Sequence, residues 1–135
     1  MSCSTISSDS IIVFQDGESK SKMCFSNPSN RKITKIRIDN CVITEGKRCD
    51  YLLIDHNKVE YFIELKGKQV EYACEQLAET IVRISKDKCK IKFSFVISSA
   101  CPLTTTQVQI LKVQFKKKYN CILKIKNNFC DHILS

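Results

Sequence analysis

The stretch that most constrains this 135-residue chain is CDYLLIDHNKVEYFIELKG, from Cys49 to Gly67. Two short apolar segments, Tyr51 to Ile54 and Val59 to Leu65, flank His56-Asn57-Lys58, which is how a β-hairpin with a three-residue loop is written. Side chains alternate faces along a strand, so Glu60, Phe62, Glu64 and Lys66 share one face and Val59, Tyr61, Ile63 and Leu65 the other. With Asp55 opposite Val59, the register sets Asp50 directly opposite Glu64. Partners of that kind have Cβ atoms about 4.5–5.5 Å apart, and a slip of two residues would keep the faces but change the partners. Two carboxylates so close repel each other unless a cation lies between them. A magnesium ion, typically held by one or two carboxylates plus waters and substrate phosphate, suits that position. Lys66, one pleat beyond Glu64, would point at the same spot.

An aspartate at the start of one strand, a turn, and Glu-x-Lys at the end of the next resembles the PD-(D/E)xK nuclease superfamily, with Asp50, Glu64 and Lys66 matching its three motif residues. Cys49 stands where the family often has proline. The resemblance implies an α/β (α+β) fold with a restriction-endonuclease-like three-layer core: a central mixed β-sheet of about five strands flanked by helices, here preceded by a small N-terminal β-hairpin. It implies Asp50 and Glu64 as ligands of Mg²⁺, with Mn²⁺ as a substitute and the Leu65 carbonyl as a further ligand. It gives Lys66 the task of orienting a water or stabilising charge on a phosphate. Many members carry an additional acid on the first core helix. Pro28 to Ile38 contains none, so Asp39 and Glu45 are the nearest candidates for a supplementary ligand.

After Gly67 the period changes. Val70, Ala73, Cys74, Leu77, Ile81 and Ile84 recur at three- and four-residue intervals, which predicts an amphipathic helix over Lys68 to Ser85. A helix crossing back over the sheet directly after the motif strand is what the resemblance predicts. Gln76 lies at the edge of its apolar stripe, with Tyr72 and Thr80 one turn away on either side. RecB-like exonucleases place a glutamine in this helix near the active site, followed by a tyrosine four residues later, where this chain has Thr80. Gln76 is therefore a candidate accessory residue of the site, with an exposed polar helix residue as the alternative.

Elsewhere the patterning is uneven. Residues 1–10 are serine-rich and expected to fray, leaving 11–135 as a single nuclease-like domain. Ile11 to Phe14 and Lys22 to Phe25 predict the small hairpin. Asn27-Pro28 suggests a helix start, read as a short helix over 28–38 running into a strand that ends near Ile43. Lys90 to Ser98 alternates as a core strand, Thr104-x-x-Gln107 resembles a capping box opening a second helix that turns Val108, Leu111 and Phe115 inward, and Cys121 to Lys126 reads as a last strand. The apolar tail Phe129 to Leu134 would cover a sheet edge or meet a second subunit.

Composition narrows the function classes. Hydrophobic residues make up 43% and charged residues 27%, ordinary for a soluble domain, and no apolar run approaches the roughly 20 residues that span a bilayer. The polar start MSCSTISSDS lacks the features of a secretory signal, so the expected location is cytoplasmic. Nine cysteines without a CxxC pair, and only two histidines, argue against a zinc site and for reduced thiols packed as small core residues. Three glycines in total and no glycine-rich loop argue against a nucleotide-hydrolysing P-loop. The net charge is +8, and ten lysines against the single acid Asp87 lie between Lys86 and Lys126. That half suits a polyanion, with Lys112, Lys116, Lys117 and Lys118 as a phosphate-contacting edge beyond what a helix dipole requires. The expected activity is a Mg²⁺-dependent nuclease, with DNA favoured over RNA and a homodimer or partner subunit open. The competing reading is a non-catalytic basic nucleic-acid-binding module with a nuclease-like fold.

Overall fold

The hairpin forms in the register that its loop length dictates. In the computed structural model, which describes residues 2–17, 20–65, 69–99 and 103–135, β5 (Tyr51–Ile54) pairs antiparallel with β6 (Glu60–Glu64), Tyr51 facing Ile63 and Ile54 facing Glu60. The loop closes through Asp55 N–H to the Val59 carbonyl at 3.1 Å, and Lys58 adopts a left-handed φ of 67°. A left-handed third residue is how three-residue hairpin loops join strands of native twist. The Asp55 carboxylate accepts from Asn57 N–H at 2.9 Å, Val59 N–H at 3.0 Å and the Tyr61 hydroxyl at 2.9 Å, so this buried acid organises the turn.

Six strands form the main sheet, in the order β1-β4-β5-β6-β7-β8, where β1 is Ser4–Ser7, β4 Ile33–Arg37, β7 Lys92–Ser98 and β8 Cys121–Asn127. Along β1, β4, β5 and β6 each strand is antiparallel to its neighbour, whereas β6, β7 and β8 run parallel. The two parallel steps are bridged by α1 (Val70–Ile84) and α2 (Thr105–Tyr119). A second sheet of three strands, β2 (Ile11–Gln15), β3 (Lys22–Ser26) and β9 (Phe129–Ile133), lies in the order β2-β3-β9.

The alternation along the strands sorts the core into two layers. Leu52, Phe62, Val96, Cys121 and Leu123 face Val70, Ala73, Cys74, Leu77 and Ile81 of α1 and Phe115 of α2. Leu53, Tyr61, Ile63, Phe95 and Ile97 face Phe14, Met23, Phe25 and Cys130 of the second sheet. The order of layers is thus helices, six-stranded sheet, three-stranded sheet. The mixed sheet and the α+β class agree with the sequence expectation. The strand count and the placement of both helices on one face differ from a five-stranded sheet flanked by helices.

Three local expectations are corrected. Residues 28–38 form no helix: the Asn27 side chain ties the loop together, its amide nitrogen donating to the Asp9 and Arg31 carbonyls at 3.0 and 2.8 Å. Ile33 and Ile36 then pack on opposite faces of the sheet, which is strand alternation rather than a helical stripe. The N-terminal stretch expected to fray contains β1, paired with β4 from Ser4–Ile36 to Ser7–Ile33. Not every cysteine is a reduced core residue, because Cys3 and Cys41 are disulfide-bonded across 38 positions of sequence, with Cα atoms 5.7 Å apart. The apolar tail becomes β9, parallel to β3. The second helix opens as its capping box predicts, with Gln107 N–H on the Thr104 hydroxyl and Thr104 N–H on the Gln107 side chain. Among the described residues no helix is long and apolar enough to cross a membrane.

His132 of β9 is half-buried among the rings of Phe25, Tyr61, Phe93 and Phe95, at centroid distances of 5.1 to 6.1 Å. Burial holds its pKa below the ordinary 6.5, and Lys124 pushes the same way against weaker opposition from Asp131 and Asp55. The unfolded chain therefore binds this proton first, and stability falls as the pH drops from 6.5 toward the lowered folded value. Denaturant unfolding between about pH 7 and pH 5.5 should show a shallower loss in His132→Gln than in the wild type.

Candidate active site

Asp50 lies one residue before β5 and Glu64 at the end of β6, and both are buried, at 4% and 0% exposure. Extending the observed register by one position sets them opposite each other, a relation in which Cβ atoms stand about 4.5–5.5 Å apart. They share the face of Leu52 and Phe62, beneath α1. Asp50 is fixed at both ends: its N–H donates to the Ile63 carbonyl at 3.1 Å, and its Oδ2 accepts Leu65 N–H at 2.8 Å. Both Glu64 oxygens are shielded from solvent. Lys66 lies outside the described residues.

Helix α1 holds the segment that delivers Asp50. Thr80, fully buried, accepts Cys49 N–H on its hydroxyl at 2.8 Å and donates to the Gln76 carbonyl at 2.7 Å. The Gln76 side chain donates to the Arg48 carbonyl at 3.0 Å, and Arg83 donates to the Glu45 carbonyl at 2.8 Å. Lys47 pairs with Glu75 at 2.9 Å and lies over the Tyr72 ring. Residues 45–49 are therefore clamped along one edge of the helix. Thr80, which stands where the resemblance would put a tyrosine, is the hinge pin of this clamp, and nothing in the hydropathy pattern distinguished it.

A cleft of about 300 Å³ opens beside Asp50, lined by Asp39, Asn40, Arg48, Asp50, Tyr72 and Gln76, among others, while Glu64, fully buried, does not line it. Of the two supplementary acids considered, Asp39 lines this cleft and Glu45 does not. Arg48, which sequence reasoning passed over, organises the rim: Nε meets the Asp39 carboxylate at 2.8 Å, while its other nitrogens reach the Gly46 carbonyl and the Asn40 side chain. Asn40 takes a left-handed φ of 57°, which asparagine tolerates well. Gln76 is 8% exposed, and its Oε1 is buried without a hydrogen-bond partner among the described residues. Burial drives the Cys49 thiol far above its usual pKa, reinforced by Glu64 and Asp50 nearby, so it stays protonated and takes no part as a nucleophile.

The lysines of α2 are not part of this assembly. α2 runs back from the carboxylate end of the sheet, and its C-terminal Asn120 is tied to Cys89 and Lys92 at the start of β7. Glu64 pairs with Val96 of β7, four residues further along, or about 13 Å of strand. Lys116, Lys117 and Lys118 thus gather near the far end, Lys112 sits midway along the helix, and all lie beside β8, two strands from β6. Among the described residues no group of three or more histidine, cysteine or acidic side chains is poised to hold a metal. A two-carboxylate site falls below that number. Comparison with protein-family models, with curated proteins and with solved structures finds no match for this chain.

Removing the clamp should be measurable. Thr80→Val leaves Cys49 N–H buried without an acceptor, and urea unfolding should register a loss of about 1–3 kcal/mol, whereas Thr80→Ser keeps most of the stability.

Proposed function

We propose that this chain is a Mg²⁺-dependent nuclease that hydrolyses phosphodiester bonds, with a restriction-endonuclease-like core, acting on DNA in preference to RNA. The observation that carries the reading is the β5–β6 register, paired from Tyr51–Ile63 to Ile54–Glu60, whose continuation by one position would bring Asp50 opposite Glu64 on the side of the sheet covered by α1. Two further features support it. The donors at hand are all hard oxygens, as magnesium requires. The Gln76 amide oxygen, buried and without a hydrogen-bond partner among the described residues, would gain one from a bound water or ligand.

In this reading Asp50 and Glu64 hold the ion, with the Leu65 carbonyl beside them. Bound Mg²⁺ would supply Lewis-acid stabilisation of the phosphodiester and lower the pKa of an attacking water. Asp50 keeps its orientation through Leu65 N–H, so one carboxylate oxygen is committed to structure and the other serves the site. Lys66 orients the water or neutralises charge developing on the phosphate. Gln76 positions a water or substrate atom from the cleft wall. Attack in line with the leaving group would give a 5′-phosphate and a 3′-hydroxyl. A homodimer or partner subunit would supply whatever specificity a single cleft lacks.

The test is a panel of duplex, single-stranded and branched DNA and of RNA with Mg²⁺, Mn²⁺ or EDTA. Cleavage should require the metal and fall on the order of 10²–10⁴-fold in Lys66→Ala and Glu64→Gln. Mg²⁺ should also raise the melting temperature of the wild type, by mass action amounting to about 2.7 kcal/mol at a hundredfold excess over Kd, and leave Glu64→Gln unmoved. Undiminished cleavage in both variants would remove the assignment. No metal response together with salt-sensitive DNA binding would point instead to the non-catalytic binding module.

A further inference from the structure

Besides Lys47 and Arg48 at the Asp50 cleft, positive charge also stands across the same end of the sheet, on β4 rather than on α2. β4 ends at Arg37, which faces Tyr51 at the start of β5, so Arg37 stands at the same sheet end as Asp50. Its side chain belongs to the opposite face, because Ile36 packs on the helical side and Tyr51 on the side of the second sheet. There Lys35, Arg37, Tyr51, Phe14 and Thr5 help to line a pocket of about 300 Å³ between the two sheets, and among the described residues no carboxylate lines it. Asp16, close by, is engaged by the Tyr51 hydroxyl at 2.6 Å.

The cations around the two cavities differ in what they already bind. Lys47 and Arg48, at the carboxylate cleft, are paired with Glu75 and Asp39. Lys35 and Arg37 have no carboxylate partner among the described residues. Lys35 lies over the Phe14 ring at 5.1 Å, and Arg37 Nε donates to the Asp39 carbonyl at 3.1 Å, which aims the arginine along the rim. That same residue, Asp39, lines the carboxylate cleft, so residues 37–40 form a ridge with a cavity on either side.

We infer that this ridge is the track of a single nucleic-acid strand, with Lys35 and Arg37 contacting backbone phosphates on one side and the strand passing over Asp39–Asn40 into the Asp50 cleft. The chemistry is that of single-strand binders: a positive groove beside an exposed aromatic ring on which a base can stack. Tyr72, 44% exposed in the cleft with the Lys47 ammonium 5.7 Å from its centroid, provides that ring, and a base would stack there in place of the lysine. The path turns from one face of the sheet to the other within about 10 Å, the spacing of packed layers. A flexible strand follows such a turn, whereas duplex DNA, stiff over about 150 base pairs, does not. The inference rests on the nuclease reading only for the direction of the strand toward the carboxylates.

The experiment measures binding of a short fluorescein-labelled single-stranded oligodeoxynucleotide by anisotropy in EDTA, where no cleavage occurs, over a range of salt. Lys35→Glu/Arg37→Glu should weaken binding at least tenfold and reduce the salt slope by about 1.4, two single-strand phosphate contacts. Lys116→Glu/Lys117→Glu/Lys118→Glu should stay within about threefold of the wild type. Arg37→Gln, a milder change, should fall between, and circular dichroism melting verifies that each variant is folded. Unchanged binding in the folded Lys35/Arg37 variants, loss confined to the α2 variant, tighter binding to duplex than to single strands, or no binding by the wild type would each overturn the track. Intact, Arg37-dependent binding without metal-dependent cleavage would retain the track and discard the nuclease.

Discussion

Everything around the candidate site follows from two acids meeting beneath a helix. Burying a carboxylate is costly unless it is paired or hydrogen-bonded, and Asp50 and Glu64 are both buried at one end of the sheet. The backbone around them is over-determined. Leu65 N–H fixes one oxygen of Asp50, Ile63 takes the Asp50 N–H, and α1 grips residues 45–49 through Thr80, Gln76, Arg83 and Glu75. The hairpin supplies the juxtaposition and the helix makes it rigid.

Placing both helices on one face divides labour within the molecule. The helical face carries the carboxylates and the cleft; the opposite face is given over to packing against β2, β3 and β9, where Phe14, Phe25, Tyr61 and Phe95 interlock edge to face. Arg37, Asp39 and Asn40 occupy the rim between these layers, Arg37 lining the cavity on one side and Asp39 and Asn40 the cleft on the other. Charge counted along the sequence is a poor guide to this geometry. The densest run of lysines caps α2 near the far end of the sheet, while sparser cations stand nearer the acids, Lys47 and Arg48 at the Asp50 cleft and Lys35 and Arg37 on the opposite face.

The legible parts of the fold are those set by local periodicity. The hairpin register came from a three-residue loop whose third residue takes the left-handed conformation, and α1 from a stripe at three- and four-residue spacing that the structure buries from Val70 to Ile81. The capping box at Thr104 is a strictly local signal and forms as written. What failed was long-range or ambiguous. Asn27-Pro28 carries a helix-start signature, yet Asn27 spends its side chain on Asp9 and Arg31, a bond across 18 residues that no window reveals. Ile33 and Ile36 fit either period until β1 pairs with Ile33 and both β1 and β5 pair with Ile36. Asp50, Glu64 and Gln76 could be named because the motif and stripe place them; Thr80 and Arg48 could not, because their partners are backbone groups and loop residues distant in sequence.

The Cys3–Cys41 bond ties the outermost strand to the turn that ends in the cleft rim. In the chain-entropy account, closing a loop of this length in the unfolded ensemble is worth about 4 kcal/mol, a large share of the roughly 5–15 kcal/mol by which domains are stable. The chain would therefore behave as two materials, depending on the thiol chemistry around it. Where disulfides persist, β1 is a permanent border of the sheet; where glutathione keeps cysteines reduced, hydrogen bonds such as those of its four residue pairs with β4 are left to hold it, and the edge of β4 becomes a surface to which other strands have access when they open.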